Sequence, residues 1–174
     1  PRFDKVERLL RACHNQVFFG TFPSEVRPEF ICTMSLDLIN RYCTNTLLHF
    51  GAQSGSDTVL SRLKRGHTVA DVLTAVDLCR ENGTTPVVDF IVGLPFETDE
   101  DQRATLDLIR EVARAGTVHV HRFIPLPGTP LAHSPARPLL PETEKICGEL
   151  ALRGHLTGSW NDPEIRFLQR PSNH

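Results

Sequence analysis

One carboxylate and three imidazoles sit inside runs that otherwise read as buried strand. His49 lies within Thr46–Phe50, Asp89 within Val87–Val92, and His119 and His121 within Val118–Ile124. A parallel strand covered on both faces is nearly all apolar, so each interruption asks for a cause. Side chains alternate faces along a strand. His119 and His121 therefore point together, away from Val118 and Val120, and Asp89 points away from Val88, Phe90 and Val92. By the same parity His49 shares a face with Gln53, provided the strand runs that far. An unpaired carboxylate in an apolar interior costs several kcal/mol, so Asp89 needs a partner, a ligand or water. One arrangement accommodates all four: Val, Leu and Phe toward covering helices, the polar set toward a cavity. A buried polar contact to a neighbouring loop is the alternative for Asp89. Histidines at i, i+2 have metal-binding chemistry, but such a pair in a strand is not by itself a ligand set, and no metal ligand is assigned.

The elements that must carry these residues follow from periodicity. Phe3, Val6, Leu9, Leu10 and Cys13 recur at helical spacing and predict a helix over 3–13. Val17–Phe19 ends at Gly20 and reads as a short buried strand, and Ser35–Cys43 reads as a second helix. Thr68 with Asp71, and Thr98 with Asp101, have the form of capping boxes that open two further helices, closed near Gly83 and Gly116. A last helix spans about Pro141 to Arg153. Strands separated by helices make βαβ units, hence a parallel sheet, either open or curled into part of a barrel. Ligands in such proteins bind at loops after the strands. Four marked loops stand there: 22–29, 51–56, 93–97 and 125–130.

Composition narrows the setting. Hydrophobic residues are 40% and charged residues 23% of 174, ordinary for a globular chain. A net charge of −2 gives no clear nucleic-acid or anionic-membrane signal. No apolar run approaches the roughly 18 residues that cross a bilayer, and a cytoplasmic setting is expected. The five cysteines, Cys13, Cys32, Cys43, Cys79 and Cys147, contain no CxxC-type pair and read as reduced, packed thiols.

Together these residues resemble a known family. Phe50-Gly51-Ala52-Gln53-Ser54-Gly55-Ser56-Asp57 followed by Arg65-Gly66-His67-Thr68 is similar to the fourth-strand region of radical S-adenosylmethionine (radical SAM) enzymes. Asp89-Phe90-Ile91-Val92-Gly93-Leu94-Pro95 with Glu97 resembles their fifth strand, and the 125–130 loop their sixth-strand exit. The resemblance spans about residues 17–132. It implies an α/β chain forming the C-terminal portion, about four βα units, of a (β/α)6 partial TIM-like barrel over 1–135, with a helix-and-tail extension over 136–174.

Carried over residue by residue, the resemblance implies that Glu25, Gln53, Ser54, Arg65, Asp89, Ile91 and Gly93 contact SAM. Asp89 and Gln53 would bond ribose hydroxyls, Arg65 would pair with the methionine carboxylate, Glu25 would receive the amino group, and Ile91 and Gly93 would lie against the adenine. His119 and His121 are candidates for substrate-facing groups. The implied cofactors are SAM and a [4Fe–4S] cluster, with cobalamin in the subgroup that the tail resembles. The implied partners are a small-molecule or other substrate and an electron donor such as ferredoxin or flavodoxin. The family's CxxxCxxC triad is absent from these 174 residues, so the chain by itself is expected to hold no cluster and cleave no SAM. The rival reading is a stand-alone α/β module for a nucleotide or phosphorylated ligand; no GxxxxGK[ST] loop supports it.

Overall fold

A computed structural model describes residues 2–22 and 24–161. The described elements are α1 (Phe3–Ala12), a 3₁₀ turn (Pro28–Phe30), α2 (Thr33–Tyr42), β1 (Leu47–Gln53), α3 (Asp57–Arg62), α4 (Val69–Glu81), β2 (Thr85–Val92), α5 (Asp99–Ala113), β3 (Thr117–Arg122), α6 (Pro141–Leu152) and β4 (Leu156–Thr157). The four strands pair in parallel in the order β1-β2-β3-β4. This is an α/β architecture consistent with part of a TIM-like barrel.

Parity along the strands holds. Leu48, Phe50, Val88, Phe90, Val118 and Val120 are fully buried in one apolar cluster with Val72, Ala75 and Val76 of α4 and Ile109 and Val112 of α5. The helices start where their caps dictate. Thr68 Oγ1 accepts from Asp71 N at 3.2 Å while the Asp71 carboxylate accepts from Thr68 N at 2.7 Å. Thr98 and Asp101 repeat the arrangement at 3.1 and 2.9 Å. Each box satisfies N–H groups that the first helical turn leaves unpaired.

Three differences from the sequence reading have physical causes. Val17–Phe19 is not a strand. Phe18 and Phe19 are exposed, and Phe19 is held at both backbone groups by the Asn45 side chain, at 3.0 and 2.6 Å. The chain meets β1 just after this run, where His49 N donates to Gly20 O at 2.7 Å, and again at a parallel bridge between Val26 and Phe50. Second, β1 continues past Phe50 to Gln53, with a bulge between Gly51 and Gln53; Gln53 takes a φ of 68°, uncommon for a non-glycine residue. Third, the fourth strand is β4, two residues long and so too short for any periodicity to announce.

Gly55 fixes how β1's exit loop meets α5. A Cβ there would stand 2.4 Å from Ala104 O and 2.6 Å from Thr105 Cα, and Gly55 N donates to Thr105 Oγ1 at 3.0 Å. Because the opposing atoms are backbone, Gly55→Ala is expected to cost about 1–3 kcal/mol, seen as a lower urea midpoint. An unchanged midpoint would mean that the loop and α5 separate freely.

Candidate functional site

Register brings Asp89 and His119 into line, while His49 pairs with Val87. Gly51, Asp89, His119 and Thr157 are successive partners across the four strands, and Ile91 pairs with His121 one step on. The face opposite the helices therefore carries a polar row at the strands' C-terminal ends, the position expected for ligand binding in parallel α/β folds.

Gly51 forms the floor of one end of this row. The position its absent Cβ would take lies 2.1 Å from Gln53 Nε2, 3.1 Å from Arg65 Nη2 and 3.2 Å from Glu25 Oε2. Three side chains assigned from sequence, separated along the chain, thus converge above one α-carbon. The bulge turns Gln53 back over Gly51. Arg65 reaches in from beyond α3, its Nη2 donating to Gly51 O at 3.4 Å, and the Arg27 guanidinium donates to Arg65 O. Burial, then the charge of Arg27, lowers the pKa of Arg65, and its Nε is buried without a hydrogen-bond partner. A half-buried guanidinium held this way is poised for an anionic partner.

Asp89 anchors the middle. It is 4% exposed, and its Oδ1 lies 2.8 Å from His119 Nδ1. Burial first, then the nearby charge of Glu25, push the Asp89 carboxyl up to about 7. Asp89 Oδ2 is buried and has no hydrogen-bond partner. The His119 and His121 rings meet edge to face with centroids 4.3 Å apart, and His121 Nδ1 lies 2.9 Å from Ser159 Oγ. Burial, then His119, holds both His49 and His121 below the ordinary imidazole pKa.

The remaining assignments divide. Ile91 and His121 line a cavity of about 710 Å³ together with Phe96, Leu126, Pro130 and Ser159, with Arg62, Lys64 and Arg122 also among its lining residues. Phe96 lies under the Arg62 guanidinium at 4.5 Å. Gly93 needs its glycine for a different neighbour: at φ 80° its Cβ position would lie 2.9 Å from Arg137 O. Ser54 is turned away from the row, its hydroxyl 3.1 Å from Thr105 Oγ1 on α5. It holds the loop against the helix and is not brought to Gln53, Arg65 and Asp89. The sequence reading missed Ser159, for which no motif signalled, and Glu97 as a buried acid. Glu97 Oε2 accepts from the N–H groups of Gly93 and Leu94, both at 3.1 Å.

Comparison with known proteins decides the family. A sequence profile of the Radical SAM superfamily matches residues 2–109. The chain belongs to the radical SAM superfamily. Among curated relatives, the tRNA-2-methylthio-N(6)-dimethylallyladenosine synthase of Anaplasma marginale is 41% identical over 100 residues, 56% of this chain and 21% of that protein. The threonylcarbamoyladenosine tRNA methylthiotransferase of Homo sapiens is 38% identical over 97 residues, 55% of this chain and 17% of that protein. The radical SAM chain thus spans about a fifth of the length of such relatives. Coproporphyrinogen III oxidase (HemN) from Escherichia coli superposes with a TM-score of 0.59 at 21% identity, over 88% of this chain and 37% of that one. The radical SAM methyltransferase TsrM from Kitasatospora setae gives 0.53 at 22%, over 71% and 24%. These two likenesses concern the fold.

The family implies SAM and a [4Fe–4S] cluster, and this radical SAM chain fits them unequally. The unpartnered Arg65 Nε and Asp89 Oδ2, buried at one end of the sheet beside Gln53 and Glu25, match the mixed charges of an amino-acid nucleoside. The cysteines do not match a cluster. Cluster iron takes thiolates, whereas burial pushes the thiols of Cys79 and Cys147 up to about 12, and no spacing among the five approaches CxxxCxxC. No helix among the described residues is long and apolar enough to cross a membrane.

Proposed function

We propose that this chain forms the SAM-holding side of a radical SAM enzyme of the methylthiotransferase or methyltransferase kind, with residues 1–135 as barrel and 136–174 as extension. The observation that carries the reading is the convergence of Glu25, Gln53 and Arg65 over Gly51, beside the buried Asp89. SAM, when bound, supplies a sulfonium whose carbon–sulfur bonds can be broken. The chain's residues bind and orient it. Arg65 pairs its guanidinium with the methionine carboxylate. Glu25 accepts from the ammonium. Gln53 and Asp89 bond the ribose hydroxyls, and Asp89 can accept or donate because its carboxyl holds a proton up to about pH 7. Ile91 offers the adenine an apolar contact. His119 and His121 face the substrate side.

For the substrate class, the names of the 38–41% identical relatives favour an adenosine in tRNA. Arg62, Lys64 and Arg122 around the cavity supply positive charge that the overall balance of −2 conceals, and cations of this kind neutralise phosphate. Cobalamin rests on the resemblance of the tail and on the likeness to TsrM, and no residue is assigned to it. An external one-electron donor of the ferredoxin or flavodoxin kind completes the reading.

The test is a calorimetric titration of the metal-free chain with SAM in EDTA, beside Asp89→Ala. Loss of a hydrogen bond to a charged group is worth about 1.5–3 kcal/mol, so the variant is expected to bind at least about tenfold more weakly. Equal affinity in a variant with an unchanged melting curve would overturn the assignment.

A further inference from the structure

We propose that Asp89, His119 and His121 form a binding site for a divalent first-row metal ion of the Zn²⁺ or Fe²⁺ class, on the sheet face at the ends of β2 and β3. The three side chains each offer a ligand atom, and these atoms all lie within 4.8 Å of one another. Bonds of about 2.0–2.2 Å to a tetrahedral ion set ligand atoms about 3.4 Å apart, so side-chain rotation alone closes the triad. The backbone is already in place. Asp89 and His119 are register partners on adjacent strands, His121 follows two residues on, and the opposite face of both strands is packed solid by Val88, Phe90, Val118 and Val120.

A second observation points to a missing ligand. Asp89 is more than nine-tenths buried, yet its Oδ2 has no hydrogen-bond partner while Oδ1 engages His119. A purely structural network would satisfy both oxygens, because an unpaired buried polar atom is costly. His121 is arranged as metal-bound histidines commonly are. Its Nδ1 meets Ser159 Oγ at 2.9 Å, which orients the ring and leaves Nε2 for an ion. Two imidazoles and one carboxylate select borderline divalent ions over Cu(I), which prefers sulfur, and over Mg²⁺ and Ca²⁺, which prefer oxygen. The set leaves further coordination positions open, as sites that act on a ligand do.

This inference does not rest on the SAM reading, although Asp89 is common to both. The experiment is a Co²⁺ titration of the metal-free 174-residue chain without SAM. The expected result is one saturable equivalent at micromolar metal, with visible d–d bands, no near-ultraviolet thiolate band, and displacement by Zn²⁺. His119→Ala and His121→Ala should each weaken binding at least tenfold. Ser159→Ala, which removes only the orienting hydroxyl, should weaken it about tenfold and keeps the test decisive if a histidine variant fails to fold. Gln53→Ala, which touches only the SAM reading, should leave Co²⁺ binding unchanged. Absence of a saturable equivalent would overturn the site. So would undiminished binding in the His119→Ala/His121→Ala double variant, or a thiolate band that Cys13→Ser abolishes. SAM affinity is read separately in EDTA, so either proposal can fail alone.

Discussion

Gly51→Ala is expected to leave the fold standing and weaken SAM binding about a hundredfold. Gly51 does not occupy the positive-φ region, so alanine meets no backbone penalty there. The new methyl would lie 2.1 Å from Gln53 Nε2, inside any real contact distance, with Arg65 and Glu25 next nearest. All three obstacles are far ends of flexible side chains, which can swing aside at little cost to folding. Swinging aside is what the site cannot tolerate, since displacing positioning groups by about an ångström can cost about a hundredfold. Calorimetry with SAM and a thermal melt of the same sample separate the two effects. Unchanged affinity would mean that these three groups do not hold the ligand. A collapsed melt would mean that Gly51 serves the sheet instead.

The second large effect concerns stability. Glu97 is 2% exposed, and burial pushes its carboxyl up to about 7 although the N–H groups of Gly93 and Leu94 act in the opposite direction. Unfolded, the group would ionise near its ordinary value of 4.5. Between these values the folded chain binds more protons than the unfolded one, so stability falls as pH rises from about 4.5 to 7 and is level above. At about 1.4 kcal/mol per pH unit the loss is at most about 3.5 kcal/mol. Glu97→Gln keeps an acceptor for both N–H groups and removes the ionisation. The variant is therefore expected to exceed the parent by about 2–3 kcal/mol above pH 7, with the difference shrinking toward acid. Asp89 titrates in the same window, so the informative quantity is the difference between the two urea-unfolding profiles. Parallel profiles would place the pH dependence elsewhere.

What the sequence disclosed and what it concealed divide along one physical line. Asp89, His119 and His121 were legible because each is flanked by Val or Phe that fix its face through strand alternation. Thr68 and Thr98 were legible because a capping box is local. The convergence over Gly51 was visible only as a resemblance; nothing in spacing says that Arg65 returns to the strand it left. Register is likewise invisible in a single chain, so the pairing of Asp89 with His119 could not be foreseen, and two histidines two residues apart could not be seen to gain a carboxylate from the neighbouring strand. Ser159 reaches His121 across 38 residues by way of a two-residue strand. Val17–Phe19 misled for the converse reason: three apolar residues beside a glycine satisfy the local pattern, yet the backbone there is engaged by Asn45.

The bulge at Ala52 makes chain length, as much as residue identity, a condition of the site. Gly51 lies in the polar row, Ala52 is fully buried in the apolar cluster, and the extra residue gives the chain room to bring Gln53 back above Gly51. Deleting Ala52 would preserve every polar side chain in the row and restore an uninterrupted ladder to β2. It would also set Gln53 immediately after Gly51, and alternation would then drive its amide into the apolar layer against α4. The site is thus phased: a change of one residue between Gly51 and Gln53 would disable it even though all its polar groups remain.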